Sequence, residues 1–377
     1  MIAFERDVAS WSVVFTRAFL CLACVAMSIG LIRCNKLLMH KDRFPYTFAL
    51  TAIQMGVSTV LSLLFFAARP LLFPGVAVVR ANGRQVVRWI GPIGTMFCVA
   101  VAASNEAYLY CGVAVLQFMK ECNILLAFVL SCLAGLQEAS PLRLIVLLCI
   151  VASTVVAVGG DVNFSALGIA LQGLSQVAEA TKAVLSEVVL RGRDFRLDPL
   201  TLTMLTSPIC CAALGFCAAM TGGAGLGPAL LRCWRPVALS SLLAFVLNIA
   251  TATMIREVSV VGLFLCGLVK DVSLVILSWL LFDEPITAIQ WASFSLTICG
   301  VAMWCFLNTF PDSPAVQALA RAVCDASLAE KQRADERVPF TGAADLRGGR
   351  LAALPWRPQG KGQHRHPGTG AERTCSA

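Results

Sequence analysis

Apolar runs of roughly 20 residues, separated by short polar joints, recur along the chain as far as residue 309. A helix rising about 1.5 Å per residue crosses the ~30 Å hydrocarbon core of a bilayer in that length. About ten such runs are legible, at 12–39, 46–68, 88–110, 113–136, 142–160, 165–190, 198–220, 237–256, 258–282 and 286–309. Backbone amides find no water in lipid, so each run must close its own hydrogen bonds as a helix. A barrel would alternate polar and apolar residues in segments of about ten, and the runs do not alternate. The pattern predicts an all-α membrane protein of about ten transmembrane helices.

Composition agrees: 58% apolar residues, 14% charged residues and a mean hydropathy of +0.78 lie far from the balance of a soluble domain. The 17 cysteines are scattered mostly through the spans without paired CxxC blocks and read as small membrane-helix hydrophobes. Cys21 and Cys24 share a helix face, but no further ligand accompanies them, so no metal site and no cofactor is expected. His40, His364 and His366 fall in a loop and in the tail. Residues 1–11 carry Glu5, Arg6 and Asp7, unlike an organelle transit peptide, and read as a short cytosolic N-terminus before a retained first helix.

Basic residues set the orientation. Arg6, Arg69, Arg80, Arg84, Arg88, Arg143, Arg191, Arg193, Arg196 and Arg256 fall on the N-terminal side, against chiefly Lys41, Arg43, Arg232 and Arg235 opposite, which places both termini in the cytosol. Beyond Phe310 the chain turns rich in Arg, Gly, Pro and Ala, so 311–377 reads as a disordered cytosolic tail with a short helix allowed near 314–334. The net charge of +8 is no argument for nucleic acid. The expected partners are an anionic phosphorylated small molecule and the lipid bilayer, with no nucleic acid and a homodimer left open.

The chain repeats itself. NKLLMHKDRFPYTFALT at the first joint matches SEVVLRGRDFRLDPLTLTML at the sixth, with Pro45 and Thr47 answering Pro199 and Thr201. MKECNILLAFVLSCLAGLQEASPLR likewise matches VKDVSLVILSWLLFDEPITA, with Glu138 and Pro141 answering Glu284 and Pro285. The two halves are 12–160 and 161–310, five helices each. An odd number of spans per repeat inverts the second copy, an arrangement of secondary transporters with the substrate near mid-bilayer.

Two lysines, Lys120 and Lys270, sit inside apolar spans, each followed by an acid, Glu121 and Asp271. A lysine at a helix centre costs about 2.5 kcal/mol or more and is usually kept for a substrate or ion pathway. At about 1.5 Å per residue both fall in the middle third of the bilayer. Two cations there repel unless an anion binds, which favours exchange of one anion for another over a one-way leak. Adjacent residues differ by about 100° in bearing, so Glu121 and Asp271 are expected to face neighbouring helices, with Lys182 a candidate partner. The bland alternative makes these charges intra-bundle ion pairs.

The ordered set Asn35-Lys36, Phe44-Pro45-Tyr46, Lys120, Asn248 and Lys270-Asp271, followed by Asp283-Glu284-Pro285, resembles the triose-phosphate translocator and nucleotide-sugar transporter family of the drug/metabolite transporter superfamily. The resemblance covers about residues 12–309. It implies two inverted five-helix halves, an antiporter rather than an enzyme, alternating access, and phosphate contact by Lys120 and Lys270. The sugar-phosphate members of that family follow the second lysine with arginine, where this chain has Asp271. They also carry a histidine where Gln117 stands and a tyrosine where Leu247 stands beside Asn248. Lysine offers a point charge and arginine a bidentate fork, so these departures weaken a dense phosphate clamp.

The expected function is therefore import of a nucleotide sugar into the Golgi or endoplasmic reticulum lumen in exchange for a nucleoside monophosphate. The alternative is a sugar-phosphate/phosphate antiporter of the same fold in a plastid-type envelope membrane. Gln117, Asn123 and Asn248, with Gln172 and Gln176, are expected to bond base or sugar or to join helices. Glu179 and Lys182, at i and i+3, either pair locally or line the cavity. Asn35 and Lys36 cap the cavity or snorkel to the interface. Tyr108 and Tyr110 fit an interfacial belt, and Gly262 and Gly267 are candidate hinges.

Overall fold

The computed structural model describes residues 2–39, 43–111, 116, 119–120, 122–158, 165–192, 196–221, 225–282 and 288–323. Helices occupy all ten expected spans: α1 Ile2–Leu38, α2 Thr47–Ala68, then a short α3 Gly75–Ala81, α4 Gly83–Ala107, α5 Asn123–Leu133, α6 Pro141–Val158, α7 Ala166–Arg191, α8 Pro199–Thr221, α9 Leu226–Glu257, α10 Val260–Phe282 and α11 Ala288–Thr309. The chain is an all-α, multi-pass membrane protein. Segments such as Phe15–Asn35, Thr47–Ala68, Gly83–Ala107 and Pro199–Thr221 are long and apolar enough to cross a bilayer by length and composition. Helix α7 is less apolar than these, because Gln172, Gln176, Glu179, Lys182 and Glu187 lie along it, a sign of polar work inside the bundle.

Three boundaries differ from expectation. Helix α1 begins at Ile2, so the residues read as a separate N-terminus continue the first helix. Helix α3 is new, and α9 starts eleven residues early, bending at Cys233 (φ −108°, ψ 18°) where Pro236 removes a backbone donor one turn on. The tail carries a helix over 314–323, within the range allowed for one, with Ser313 Oγ accepting from the Val316 amide at 3.3 Å. Residues 324–377, most of the expected disordered tail, lie outside the described residues.

The chain forms two compact units. The larger holds 1–139 and 146–304; the smaller holds 140–145 and 305–377. Within the larger unit the packing partners obey the sequence repeat. Helix α4 packs on α7 and α1 on α9; α2 packs on α9 and α4 on α8; α5 packs on α7 and α1 on α10. Exchanging the halves turns each pair into the next, while α2·α8 and α5·α10 map onto themselves. One buried core joins Ile90 and Ile93 of α4, Ala180 and Val184 of α7, Leu202 of α8 and Ile255 of α9. A second joins Phe128 of α5, Leu147 and Ile150 of α6, Leu265 of α10 and Trp304 of α11, with the Phe128 and Trp304 rings edge to face at 6.0 Å.

Small residues set the closest approaches, as expected where lipid supplies no hydrophobic drive between helices. A Cβ on Gly94 of α4 would sit 2.7 Å from Ile209 Cγ2 of α8, so only glycine permits that contact. Side chains cap the starts of α7 and α8. Ser165 accepts from the Gly168 amide at 3.1 Å, and Asp198 accepts from Thr201 at 2.8 Å while also holding the Gly75 amide of α3 at 2.8 Å. Gly135 takes φ +68° beyond α5, where a left-handed residue closes a helix C-terminus.

Candidate functional site

A cavity of about 90 Å³ opens between α2, α4, α7, α8 and α9. Lys182 and Ser186 enter from α7, Thr203, Thr206 and Ser207 from α8, and Asn248 and Thr251 from α9. Met55, Ile93, Phe97 and Leu202 supply apolar wall. The Lys182 ammonium lies 4.9 Å from the centre of the Phe97 ring, and among the described residues no carboxylate pairs with it. Several hydroxyls have committed their protons to their own helices: Ser186 to Lys182 O at 2.8 Å, Thr203 to Pro199 O and Thr206 to Leu202 O at 2.9 Å each. Their lone pairs remain to accept bonds. Among the described residues the result is one cation beside hydroxyl acceptors and the Asn248 amide, whose Nδ2 there has Met55 Sδ at 3.9 Å. Such a lining suits an anion that carries hydroxyl groups.

The two lysines expected to form the site lie elsewhere. Lys120 donates to Tyr108 Oη at 3.1 Å with its ammonium 5.4 Å from that ring's centre, so Tyr108 serves a lysine rather than an interfacial belt alone. Lys270 pairs with Asp271 at 3.2 Å. That corrects the expected divergence of neighbours: about 100° separates the Cβ atoms, but the four-carbon lysine stem is long enough to bring its ammonium back to the next residue's carboxylate. Neither lysine lines the cavity that holds Lys182.

The other expected residues divide. Glu179 does not pair with Lys182; its Oε2 accepts from Asn123 Nδ2 at 3.1 Å, joining α7 to α5. Asn35 is engaged by its neighbours and is not among the residues lining the Lys182 cavity. Its Oδ1 accepts from Gln54 Nε2 at 3.0 Å and from Ser240 Oγ at 2.7 Å, tying α1, α2 and α9 together. Lys36 stands in the last turn of α1, while its side chain, Gln117 and Glu121 lie outside the described residues. Gly262 is a packing glycine, since a Cβ there would strike Val258; Gly267 has open space.

Sequence reasoning missed the α8 hydroxyls and Gln54. The run LTLTMLTS carried the signal, three threonines and a serine within eight residues of an otherwise apolar span. It also missed Glu187, a fully buried acid near the end of α7. Glu187 Oε1 meets Arg191 at 2.8 Å and Oε2 accepts from the Val260 amide at 2.9 Å, capping the start of α10. The two-residue joint before α10 is strained, with Ser259 at φ 138°, a conformation costing of order 1–3 kcal/mol.

A family profile, the Triose-phosphate Transporter family, matches residues 16–305. Two Arabidopsis thaliana proteins, each named "Probable sugar phosphate/phosphate translocator", are similar. The first is 30% identical over 291 residues, covering 74% of this chain and 83% of the relative. The second is 29% identical over 288 residues, covering 74% and 84%. A solved crystal structure superposes with a TM-score of 0.57 at 15% identity, over 79% of this chain and 99% of that one, a likeness in fold alone. Profile, relatives, ten helices and a pairing pattern that respects the repeat agree, and the chain belongs to the Triose-phosphate Transporter family.

Proposed function

We propose that this transporter, which is not an enzyme, exchanges a phosphorylated sugar for inorganic phosphate by alternating access. The observation that carries the reading is Lys182, a cation without a carboxylate partner among the described residues, in a cavity of hydroxyl acceptors inside the membrane. A phosphate there replaces the missing counter-charge, and sugar hydroxyls match the lining. The names of the relatives point to the same substrate class. Lys270, paired with Asp271, and Lys120, held on Tyr108, supply a second cationic pole that also favours a loaded carrier over an empty one. Exchange follows from that cost: a carrier that has released its anion meets it again until another anion enters.

One observation favours a second reading. Asp271 occupies the place where the sugar-phosphate members resembled by this chain carry arginine, and it neutralises Lys270 at 3.2 Å. A nucleotide sugar, whose binding is spread over base, ribose and sugar, needs fewer convergent cations. The sugar-phosphate reading goes with a plastid-type envelope, the nucleotide-sugar reading with Golgi or endoplasmic reticulum, and both keep the termini cytosolic. Purified protein in liposomes loaded with phosphate or nucleoside monophosphates, then offered labelled sugar phosphates and nucleotide sugars, separates them. Uptake of sugar phosphate against phosphate supports the first reading. Uptake restricted to nucleotide sugars against nucleoside monophosphates replaces it with the second.

A further inference from the structure

The joint between α2 and α4 is a strongly basic surface at one face of the membrane. No Asp or Glu occurs between Asp42 and Glu106, while Arg69, Arg80, Arg84 and Arg88 fall in or beside the joint and all are exposed. Among the described residues none of these arginines has a carboxylate partner. Arginines at the ends of α7 and α9 do: Arg191 meets Glu187 at 2.8 Å and Arg256 meets Glu257 at 3.7 Å. Arg84 adds its charge to the positive end of α4, whose first turn holds no acid and whose Asn82 makes no side-chain cap bond. An anion is the counter-charge this corner lacks.

The joint is pinned from within. Phe73 is 2% exposed and meets Phe66 of α2 edge to face at 5.5 Å. The Gly75 amide that opens α3 donates to Asp198 Oδ1 at 2.8 Å, and Asp198 also caps α8. Arg84 and Arg88, one turn apart, share a face of α4, and Arg80 stands in the last turn of α3. The guanidinium groups are thus presented on backbone already fixed, which lowers the ordering cost of binding. The same joint exposes apolar side chains: Leu71 is 94% exposed, Leu72 52% and, between the α4 arginines, Val87 69%. A soluble phosphate would satisfy the arginines and leave these side chains uncovered. A phospholipid satisfies both, with its headgroup phosphate on the arginines and its acyl chains along the leucines. A headgroup of net negative charge suits the corner better than phosphatidylcholine, which brings a cation with its phosphate.

We propose that Arg80, Arg84 and Arg88 form a binding surface for the headgroup of an anionic phospholipid, whose acyl chains cover Leu71, Leu72 and Val87. The surface is separate from the substrate cavity, which none of these arginines lines. Because α3 is tied to α8 through Asp198, the bound lipid also braces the helix that carries the cavity hydroxyls.

The test uses full-length protein in nanodiscs of phosphatidylcholine with a minor share of phosphatidylserine, released into detergent, with the retained lipids identified by native mass spectrometry. Wild-type protein should retain phosphatidylserine in preference to phosphatidylcholine. An arginine near the surface contributes about fivefold, so Arg84→Gln should lower that preference about fivefold, and the triple variant Arg80→Gln, Arg84→Gln, Arg88→Gln about 100-fold. Arg235→Gln, at an exposed arginine in the opening turns of α9 that lies 5.4 Å from the Trp234 ring centre, is the control and should leave the preference unchanged. Phosphatidylserine should also raise the melting temperature of the wild type and not that of the triple variant. Equal preference in wild type and triple variant overturns the surface. So does an equal loss from Arg235→Gln, which marks a general response to net charge. Displacement of the lipid by inorganic phosphate assigns the arginines to a soluble anion and overturns it too. Counting lipids needs no transport, so the outcome stands apart from the identity of the solute carried.

Discussion

Lys182→Met removes the cavity's charge while keeping most of the side chain's length, and two effects of opposite sign follow. A charge-assisted hydrogen bond to phosphate contributes about 1.5–3 kcal/mol, so its loss should raise KM for phosphate by about 10- to 150-fold at roughly 1.4 kcal/mol per decade. The empty protein responds differently. Lys182 has a ring face at 4.9 Å, worth about 0.5–2 kcal/mol, to offset the cost of about 2.5 kcal/mol or more of a lysine in the membrane interior. Its removal should therefore leave thermal stability unchanged or raise it. Initial rates of phosphate self-exchange in liposomes give KM, and thermal unfolding of the same detergent-purified protein gives stability. A lysine kept only for packing predicts the reverse, lower stability with ordinary transport. A KM within about twofold of wild type would refute the assignment, because no charge-assisted bond is that weak.

Other parts of the structure yield sharp expectations. Lys270→Ala should abolish exchange, and because it strands Asp271, the paired change Lys270→Met with Asp271→Asn is the better folded variant; normal uptake by the pair excludes this pole from transport. Asp271→Asn alone should lower thermal stability more than it changes substrate affinity, and an affinity loss without destabilisation would make the carboxylate a substrate contact. Glu187→Ala leaves the buried Val260 amide without its acceptor and should destabilise the protein by about 2–4 kcal/mol, with Glu187→Gln milder; equal melting temperatures would remove its capping role. Cys21 and Cys266 place their sulfurs 2.7 Å apart between α1 and α10, so mild oxidation should link them. Failure to find that cross-linked peptide by mass spectrometry contradicts the packing of α1 on α10.

The ten helices and their two-fold repeat were legible because lipid leaves the backbone no alternative to helices and because span length is fixed by bilayer thickness. Helix α3 was not, since seven residues outside the apolar runs carry no membrane-length signal. The start of α9 was hidden by Arg232, Arg235 and Pro236, which read as loop but lie in a helix bent at Cys233. The site was half legible. Lys182 and Asn248 stood among the candidates, but side-chain reach defeated the argument from bearing at Lys270 and Asp271. The α8 hydroxyls were passed over because Ser and Thr are common in membrane helices and reveal themselves only when neighbours leave a cavity beside them.

The central claim is that an anion must be returned for each anion carried. Liposomes containing the purified protein, loaded either with phosphate or with an uncharged osmolyte, measure this when labelled phosphate or sugar phosphate is supplied outside. Uptake at least about tenfold faster into phosphate-loaded liposomes is predicted, as a barrier of about 1.4 kcal/mol or more to return of the empty carrier requires. Equal rates into both kinds of liposome, with wild-type protein fully folded, would contradict it.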